Sequence, residues 1–335
     1  MKSIIYESGK LLGTGSAMSG RFIAMAAIIG LVLPFGVTAQ EPQAPQARFK
    51  SSVNVVSVTA VVRDRKGRFV RDLSSRDFVV AESGQAKPIL DFREMSDGPV
   101  KLGLLVDASG SMRVGRKAVD ARQAARHLLG ALVGKDEAAL FSFDTQLDRV
   151  TGFTSDIPSI DAAFERLNTP YGQTSLYDAV HDAAKVVTAH GRGEGRLPQR
   201  AALVVITDGI DTRSRLTAAE VSAAASAIDV PVYVISVMAP IDDPRVDDTP
   251  PMDVEGLTQL ARNTGGELFT ASAPAHASIA ARRIVDELRH QYVLAFEASN
   301  ANGWRRVEVR ARDPKLIVRA RTGYSAGASG RPTGH

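Results

Sequence analysis

The sequence predicts an α/β fold: a doubly wound, mostly parallel sheet, inserted in or flanked by a small β-sandwich-like module. Two observations predict it. Between about Val100 and His290, short apolar runs rich in Val, Ile and Leu alternate with helical patterns, as expected for a covered parallel sheet with right-handed crossovers. On both sides of that span the pattern becomes short alternating strands broken by turns. Neither flank is large enough to bury a core alone, so the two are expected to join.

Taken in order, residues 1–39 read as an export signal. Lys2, Lys10 and Arg21 are basic, Phe22 to Leu33 is apolar and uncharged, and Val37-Thr-Ala39 supplies small residues before a cleavage point at Gln40. The competing reading is an uncleaved membrane anchor, because Phe22 to Ala39 approaches the length of a bilayer span, although Pro34 interrupts it. Either way the remainder is expected outside the cytoplasm, in a periplasm or at a cell surface. Residues 40–48 are rich in Pro and Gln and read as a linker.

Residues 49–98 form the first β segment. Val53 and Val55, then Val58, Ala60 and Val62, alternate; Asp64-Arg-Lys-Gly67 is a turn; Phe69-Val70, Phe78 to Glu82 and Ile89 to Met95 continue the strands. Residues 99–290 form the α/β domain. Its buried strands are expected at Lys101–Val106, Ala138–Phe143, Ala201–Thr207 and Val232–Val237. Helices are expected at about Val114–Val133, Ile157–Leu167, Ser175–Ala189, Ala218–Ala227, Val254–Thr264 and Ala275–His290. Residues 291–324 return to strands, at Tyr292–Phe296, Arg306–Arg310 and Leu316–Arg319. Residues 325–335 are small and polar, the pattern of a disordered tail.

Composition narrows the chemistry. The 335 residues suit roughly two domains of about 150. A net charge of +4, from 41 basic and 37 acidic residues, gives little reason to expect a nucleic-acid partner. The arginines gathered at 305, 306, 310, 312, 319 and 321 read as the solvated face of a hairpin, with a phosphate-binding stripe as the alternative. The absence of cysteine removes disulfides, thiolate metal sites and thiol nucleophiles. The six histidines are scattered without His-Glu-x-x-His spacing, no Gly-x-Ser-x-Gly elbow surrounds a serine, and no phosphate-binding glycine loop ending in Lys-Ser/Thr follows a strand. No enzymatic activity and no small-molecule substrate are therefore expected.

The chemistry that remains sits on three loops. Asp107-Ala-Ser109-Gly-Ser111 leaves the end of an apolar strand, Gly172-Gln-Thr174 opens a helix, and Thr207-Asp208-Gly209 ends a second apolar strand. In a doubly wound sheet such strand ends converge where ligands bind. Two carboxylates and three hydroxyls are hard oxygen donors that suit Mg²⁺, or Mn²⁺ and Ca²⁺, rather than soft metals. So few direct carboxylates leave a bound cation with residual positive charge, and a partner's carboxylate is the natural ligand to complete it.

Asp-x-Ser-x-Ser, Gly-x-Thr and the strand ending Thr-Asp-Gly together resemble the von Willebrand factor type A (VWFA) domain, over about Val100 to His290. In that family these residues form the metal-ion-dependent adhesion site. The resemblance implies that Ser109, Ser111 and Thr174 meet the metal directly, while Asp107 and Asp208 act mainly through water. It also implies a Rossmann-like sheet with one short antiparallel edge strand, near Asp148–Thr151. The flanks, through Asp77-Phe-Val-Val-Ala-Glu82 and Arg321-Thr-Gly-Tyr324, resemble a bacterial exported VWFA-related family of acidobacterial type.

The expected function is thus an exported protein-binding or adhesion module that grips an acidic partner residue through a divalent cation. The alternative is a scaffold subunit of a periplasmic or membrane-anchored complex whose metal is structural. Several acidic residues also have plainer readings. Asp107 or Ser109 would cap the following helix; Asp178 would support helix packing; Asp211 would form a turn; Asp242-Asp243 and Asp247-Asp248 would belong to a solvated loop.

Overall fold

The computed structural model of the chain describes residues 54–95, 98–167, 171–191, 200–228, 230–238, 253–299 and 302–326. The expected export signal, the linker, the acidic pairs at 242–243 and 247–248, and residues 327–335 lie outside the described residues.

The first segment holds β1 (Val55–Arg63), β2 (Phe78–Glu82), β3 (Gln85–Lys87) and β4 (Ile89–Met95). The α/β segment runs β5 (Lys101–Asp107), α1 (Lys117–Gly130), β6 (Glu137–Phe143), β7 (Leu147–Arg149), α2 (Ile157–Glu165), α3 (Leu176–Gly191), β8 (Ala201–Thr207), α4 (Ala218–Ile228), β9 (Val232–Val237), α5 (Val254–Thr264), β10 (Leu268–Ala271) and α6 (Pro274–Arg289). The last segment holds β11 (Gln291–Glu297), β12 (Gly303–Ala311), β13 (Ile317–Ala320) and β14 (Gly323–Ala326).

The α/β segment builds a six-stranded sheet in the order β10-β9-β8-β5-β6-β7. Every neighbouring pair is parallel except β6 with β7, which is the antiparallel edge. Its central strands are buried on both faces, which explains their unbroken apolar runs. On one face lie α1, α2 and α6, whose Ala121, Ala124, Ala125, Ala277, Ala280 and Ala281 let the helices approach closely. On the other lie α3, α4 and α5 with Val180, Val187, Val221, Leu257 and Leu260. Gly103 lets α3 approach this face closely: a Cβ there would stand 2.4 Å from Cγ2 of Val187. Chain order places β6 on one side of β5 and β8 on the other, so the switch point lies between the carboxyl ends of β5 and β8.

The flanking segments interleave into two four-stranded antiparallel sheets, β13-β1-β11-β4 and β14-β12-β2-β3. Each sheet takes strands from both ends of the chain; Val58 faces Leu294 across β1 and β11, and Val80 faces Val309 across β2 and β12. Their shared core holds Val58, Ala60, Phe78, Val80, Tyr292, Leu294 and Phe296, with the Phe78 and Tyr292 rings 5.4 Å apart. A single residue, His290, separates α6 from β11. At that joint the fully buried Glu287 of α6 pairs with Arg63 of β1 and Arg319 of β13. Arg283 also reaches Glu267 at 3.0 Å.

Four expectations need correction. Ser325 and Ala326, placed in a disordered tail, belong to β14 and pair with Trp304 and Gly303. Phe69 forms only an isolated bridge to Arg63, because the turn at Asp64 to Gly67 brings the chain straight back. The first helix of the α/β domain begins at Lys117, not Val114, because Gly110–Arg113 is a 3₁₀ turn. The edge strand sits at Leu147–Arg149, slightly earlier than expected. Among the described residues no helix is long and apolar enough to cross a membrane.

Candidate metal centre

All five candidate residues lie on three loops above the switch point, and the loops are tied together by their backbones. Asp107 ends β5, and Ser109 and Ser111 follow it. Gly110 N–H donates to the Gly172 carbonyl at 2.9 Å, and Tyr171 N–H to the Ala108 carbonyl at 2.9 Å, joining the first loop to the second. Gly172 holds a left-handed φ of 101°, and a Cβ on Gly110 would come within 3.1 Å of its carbonyl. Both positions therefore suit glycine. The third loop joins the second where Thr212 and Arg213 N–H donate to the Thr174 carbonyl at 3.0 and 2.8 Å.

Within this frame the side chains divide by role. Asp107 Oδ1 accepts from Ser109 N–H at 2.8 Å, and Oδ2 accepts from the Thr207 hydroxyl at 2.6 Å. The hydroxyls of Ser109 and Ser111 stand 3.1 Å apart. Thr174 is buried, its N–H donates to the Thr212 hydroxyl at 3.0 Å, and its own hydroxyl makes no hydrogen bond to another described residue. Asp208 Oδ1 accepts from Ile210 N–H at 3.3 Å, and Oδ2 pairs with Lys117 Nζ at 3.0 Å.

The plainer reading of Asp107 and Ser109 as helix caps does not fit this geometry. α1 starts after Arg116, and Ser109, although it precedes the 3₁₀ turn, makes no side-chain capping bond there. Side-chain capping occurs at α3, from residues outside the set. Asp211 Oδ1 accepts from Leu176 N–H at 2.8 Å, at the start of α3, and the Ser214 hydroxyl accepts from Tyr177 N–H at 2.9 Å. Asp178 accepts from the backbone of Arg215 and Leu216, and from the Arg215 guanidinium at 3.1 Å. Its role is to fix the third loop.

Electrostatics test whether a cation fits. Asp107 and Asp208 are 2% and 4% exposed. Burial, and then the charge of Asp208, push the Asp107 carboxyl up to about 7, against the hydrogen bonds from Ser109 and Thr207 that pull it down. Among the described residues, two carboxylates and one ammonium leave the site with one excess negative charge. Hydroxyl oxygens, buried carboxylates and excess negative charge together fit a hard divalent cation, which Ser109, Ser111, Thr174, Asp107 and Asp208 would hold. Among the described residues no group of three or more His, Cys, Asp or Glu is placed to hold a metal ion, so a cation here would draw on the hydroxyl oxygens as well.

Two residues escaped the sequence reading. Thr207 was assigned only to its strand, yet its hydroxyl donates to Asp107 and accepts from Gly209 N–H at 2.9 Å. Lys117 was read as one more residue of the first helix. Its signal was positional: Lys117, Ala121, Ala124, Ala125 and Leu128 form one buried stripe, and a charge on such a stripe needs a partner.

The family model of the von Willebrand factor type A domain matches residues 102–210. No curated protein matches the chain. Among solved structures, BatB from Bacteroides thetaiotaomicron is similar at 18% identity over 56% of this chain and 98% of its own, with a TM-score of 0.46. A von Willebrand factor type A protein from Catenulispora acidiphila is similar at 12% identity over 83% and 76%, with a TM-score of 0.46. Proximal thread matrix protein 1 from the mussel byssus, with a zinc-occupied MIDAS motif, is similar at 14% identity over 59% and 50%, again with a TM-score of 0.46. The family match takes in Asp107, Ser109, Ser111, Thr174 and Asp208 and stops before the flanking sandwich strands β11–β14. The stretch from residue 102 to 210, which carries β5 to β8 of the six-stranded sheet and all three joined loops, thus matches the von Willebrand factor type A domain.

Proposed function

We propose that this protein is an exported, non-enzymatic binding module that holds a divalent cation, Mg²⁺ foremost, and uses it to take a carboxylate from a protein partner. The observation that carries the reading is the pairing of two buried, mutually repelling carboxylates with three hydroxyls on joined loops. Ser109, Ser111 and Thr174 supply neutral oxygens, and Asp107 and Asp208 supply charge from behind. When bound, the cation supplies Lewis acidity toward an anionic oxygen. The chain's own residues orient the donors and exclude competing water, since Ser109, Thr174 and both aspartates are buried.

A partner also needs surface beside the metal. A cavity of about 520 Å³ opens next to the first two loops, lined by Ala108, Phe143, Asp144, Asp148, Arg166 and Tyr171. It offers room for the residues that flank an acidic side chain. Export rests on the basic and apolar pattern of residues 1–39.

The test is isothermal titration with Mg²⁺, followed by capture of envelope proteins in Mg²⁺ and in EDTA. Wild type is expected to bind the cation, and Asp107→Ala to lose at least about a hundredfold in affinity, since a charged member of the donor set is gone. Equal binding by both proteins would reject the assignment. Capture unchanged by EDTA, with only thermal stability lowered, would favour the structural-metal scaffold instead.

A further inference from the structure

The ammonium of Lys117 is an unusual presence so close to a cation site. Its side chain is 1% exposed, and Nζ lies 3.0 Å from Oδ2 of Asp208, itself 2% exposed at the side chain. Lys117 is the first residue of α1, at the helix end where the backbone dipole disfavours positive charge. Removing an ammonium from water costs several kcal/mol unless it is paired. Burial and dipole thus both oppose a lysine here, and its contact with Asp208 offsets them.

The two aspartates are held differently as a result. Asp107 is fixed by neutral donors alone, Ser109 N–H and the Thr207 hydroxyl. Asp208 is fixed by a full positive charge on one oxygen and by Ile210 N–H on the other. From the described residues, a divalent cation entering this site meets one net negative charge rather than two, and it meets a like charge already in contact with one of the carboxylates.

We infer that Lys117 is a positioning residue that serves as a built-in counter-ion to Asp208: it orients that carboxylate and weakens the site's hold on divalent cations. The inference rests on the cation-binding reading above and deepens it. Lys117 sets affinity low enough for the site to respond to the cation concentration around it. Coulomb interactions in a buried site are strong enough for one unit charge to change affinity by orders of magnitude.

Mg²⁺ titration of wild type, Lys117→Met and Lys117→Gln tests this directly. Met keeps the length and apolar stem of the side chain; Gln keeps a hydrogen-bond donor for Asp208 and serves where Met fails to fold. Both neutral variants are expected to bind Mg²⁺ at least about tenfold more tightly than wild type. The gap in melting temperature between EDTA and Mg²⁺ is expected to widen, because the uncompensated carboxylates repel each other more when no cation is supplied. A merely structural lysine would lower stability in both conditions and leave affinity unchanged or weaker. Wild-type binding with unchanged or weaker affinity in the variants therefore overturns the inference and leaves the metal site standing. Absence of Mg²⁺ binding by wild type overturns both. Adding Asp208→Asn to Lys117→Met is expected to abolish the gain, and a gain that persists would place the lysine's effect elsewhere.

Discussion

Two sets of buried carboxylates in this molecule have opposite fates. In the sandwich, Glu82 accepts from Ser299 N–H and pairs with Lys87 at 2.9 Å, and the Ser299 and Tyr324 hydroxyls both donate to it. Burial alone would raise its pKa, but hydrogen bonds from Ser299, Tyr324 and Lys87 outweigh that and hold it at about 2. At the end of the parallel sheet, Asp107 has only neutral donors and an aspartate for a neighbour, and stands at about 7. Among the described residues, one carboxylate is saturated with charged and neutral donors and the other with neutral donors alone. Burial is common to both, so burial does not distinguish a structural acid from a binding one; the charge balance of its partners does.

The sharpest way to break this comparison is at the joint between the two regions. Glu287 is fully buried and meets Arg63, Arg283 and Arg319, so it belongs with the saturated class. Glu287→Gln takes the counter-charge from Arg63, while Arg283 and Arg319 keep Glu267, and is expected to cost about 3 kcal/mol in urea unfolding. Mg²⁺ affinity in the fraction that folds should stay as in wild type. A loss under about 1 kcal/mol would show that the arginines are solvated without it.

Glu82→Gln comes next, with an expected loss of about 2–3 kcal/mol near neutral pH, as one charged partner of several hydrogen bonds is removed. Its pH dependence has a definite sign. The folded pKa is depressed, so the unfolded chain binds the proton more readily than the folded one, and Glu82 stabilises the fold fully above the ordinary glutamate value of 4.5. That stabilisation fades as pH falls from about 4.5 to about 2. Urea unfolding of wild type and Glu82→Gln at pH 6, 4 and 2.5 should show the difference between them shrinking with each step. A constant difference would mean that Gln loses packing rather than charge.

What the sequence made legible follows the same physics. β5, β8 and β9 stood out because both faces of each are covered, so their residues are apolar without interruption. β3, β10 and β14 passed unnoticed: each has only three or four residues and lies at a sheet edge, where half-exposed side chains need no pattern. The residues of the candidate site stood out because Asp107, Ser109, Ser111, Thr174 and Asp208 differ in kind from the apolar strands before them. The supporting residues were not. Lysine is so often solvent-exposed that Lys117 gave no sign beyond its place on the buried stripe. Asp178 and Asp211 bind backbone from distant loops, and such pairings depend on tertiary approach that local spacing does not encode.

The smallest effect expected is also the one that separates the two classes of acid most cleanly. Asp107→Asn keeps the shape of the side chain and removes its charge. Asn Oδ1 can accept from Ser109 N–H as Asp107 does, and its amide can donate to the Thr207 hydroxyl, which is free to turn. The repulsion with Asp208 disappears. In EDTA near pH 8 this variant is therefore expected to gain about 1 kcal/mol over wild type, because a buried charge without sufficient compensation has become neutral. In Mg²⁺ the order should reverse, since wild type then gains binding free energy that the variant has lost. The same change of acid to amide would thus stabilise at Asp107 and destabilise at Glu82. If Asp107→Asn lowers stability in EDTA as Glu82→Gln does, then Asp107 is a structural acid after all, and the charge imbalance at the sheet's end is not what draws a cation there.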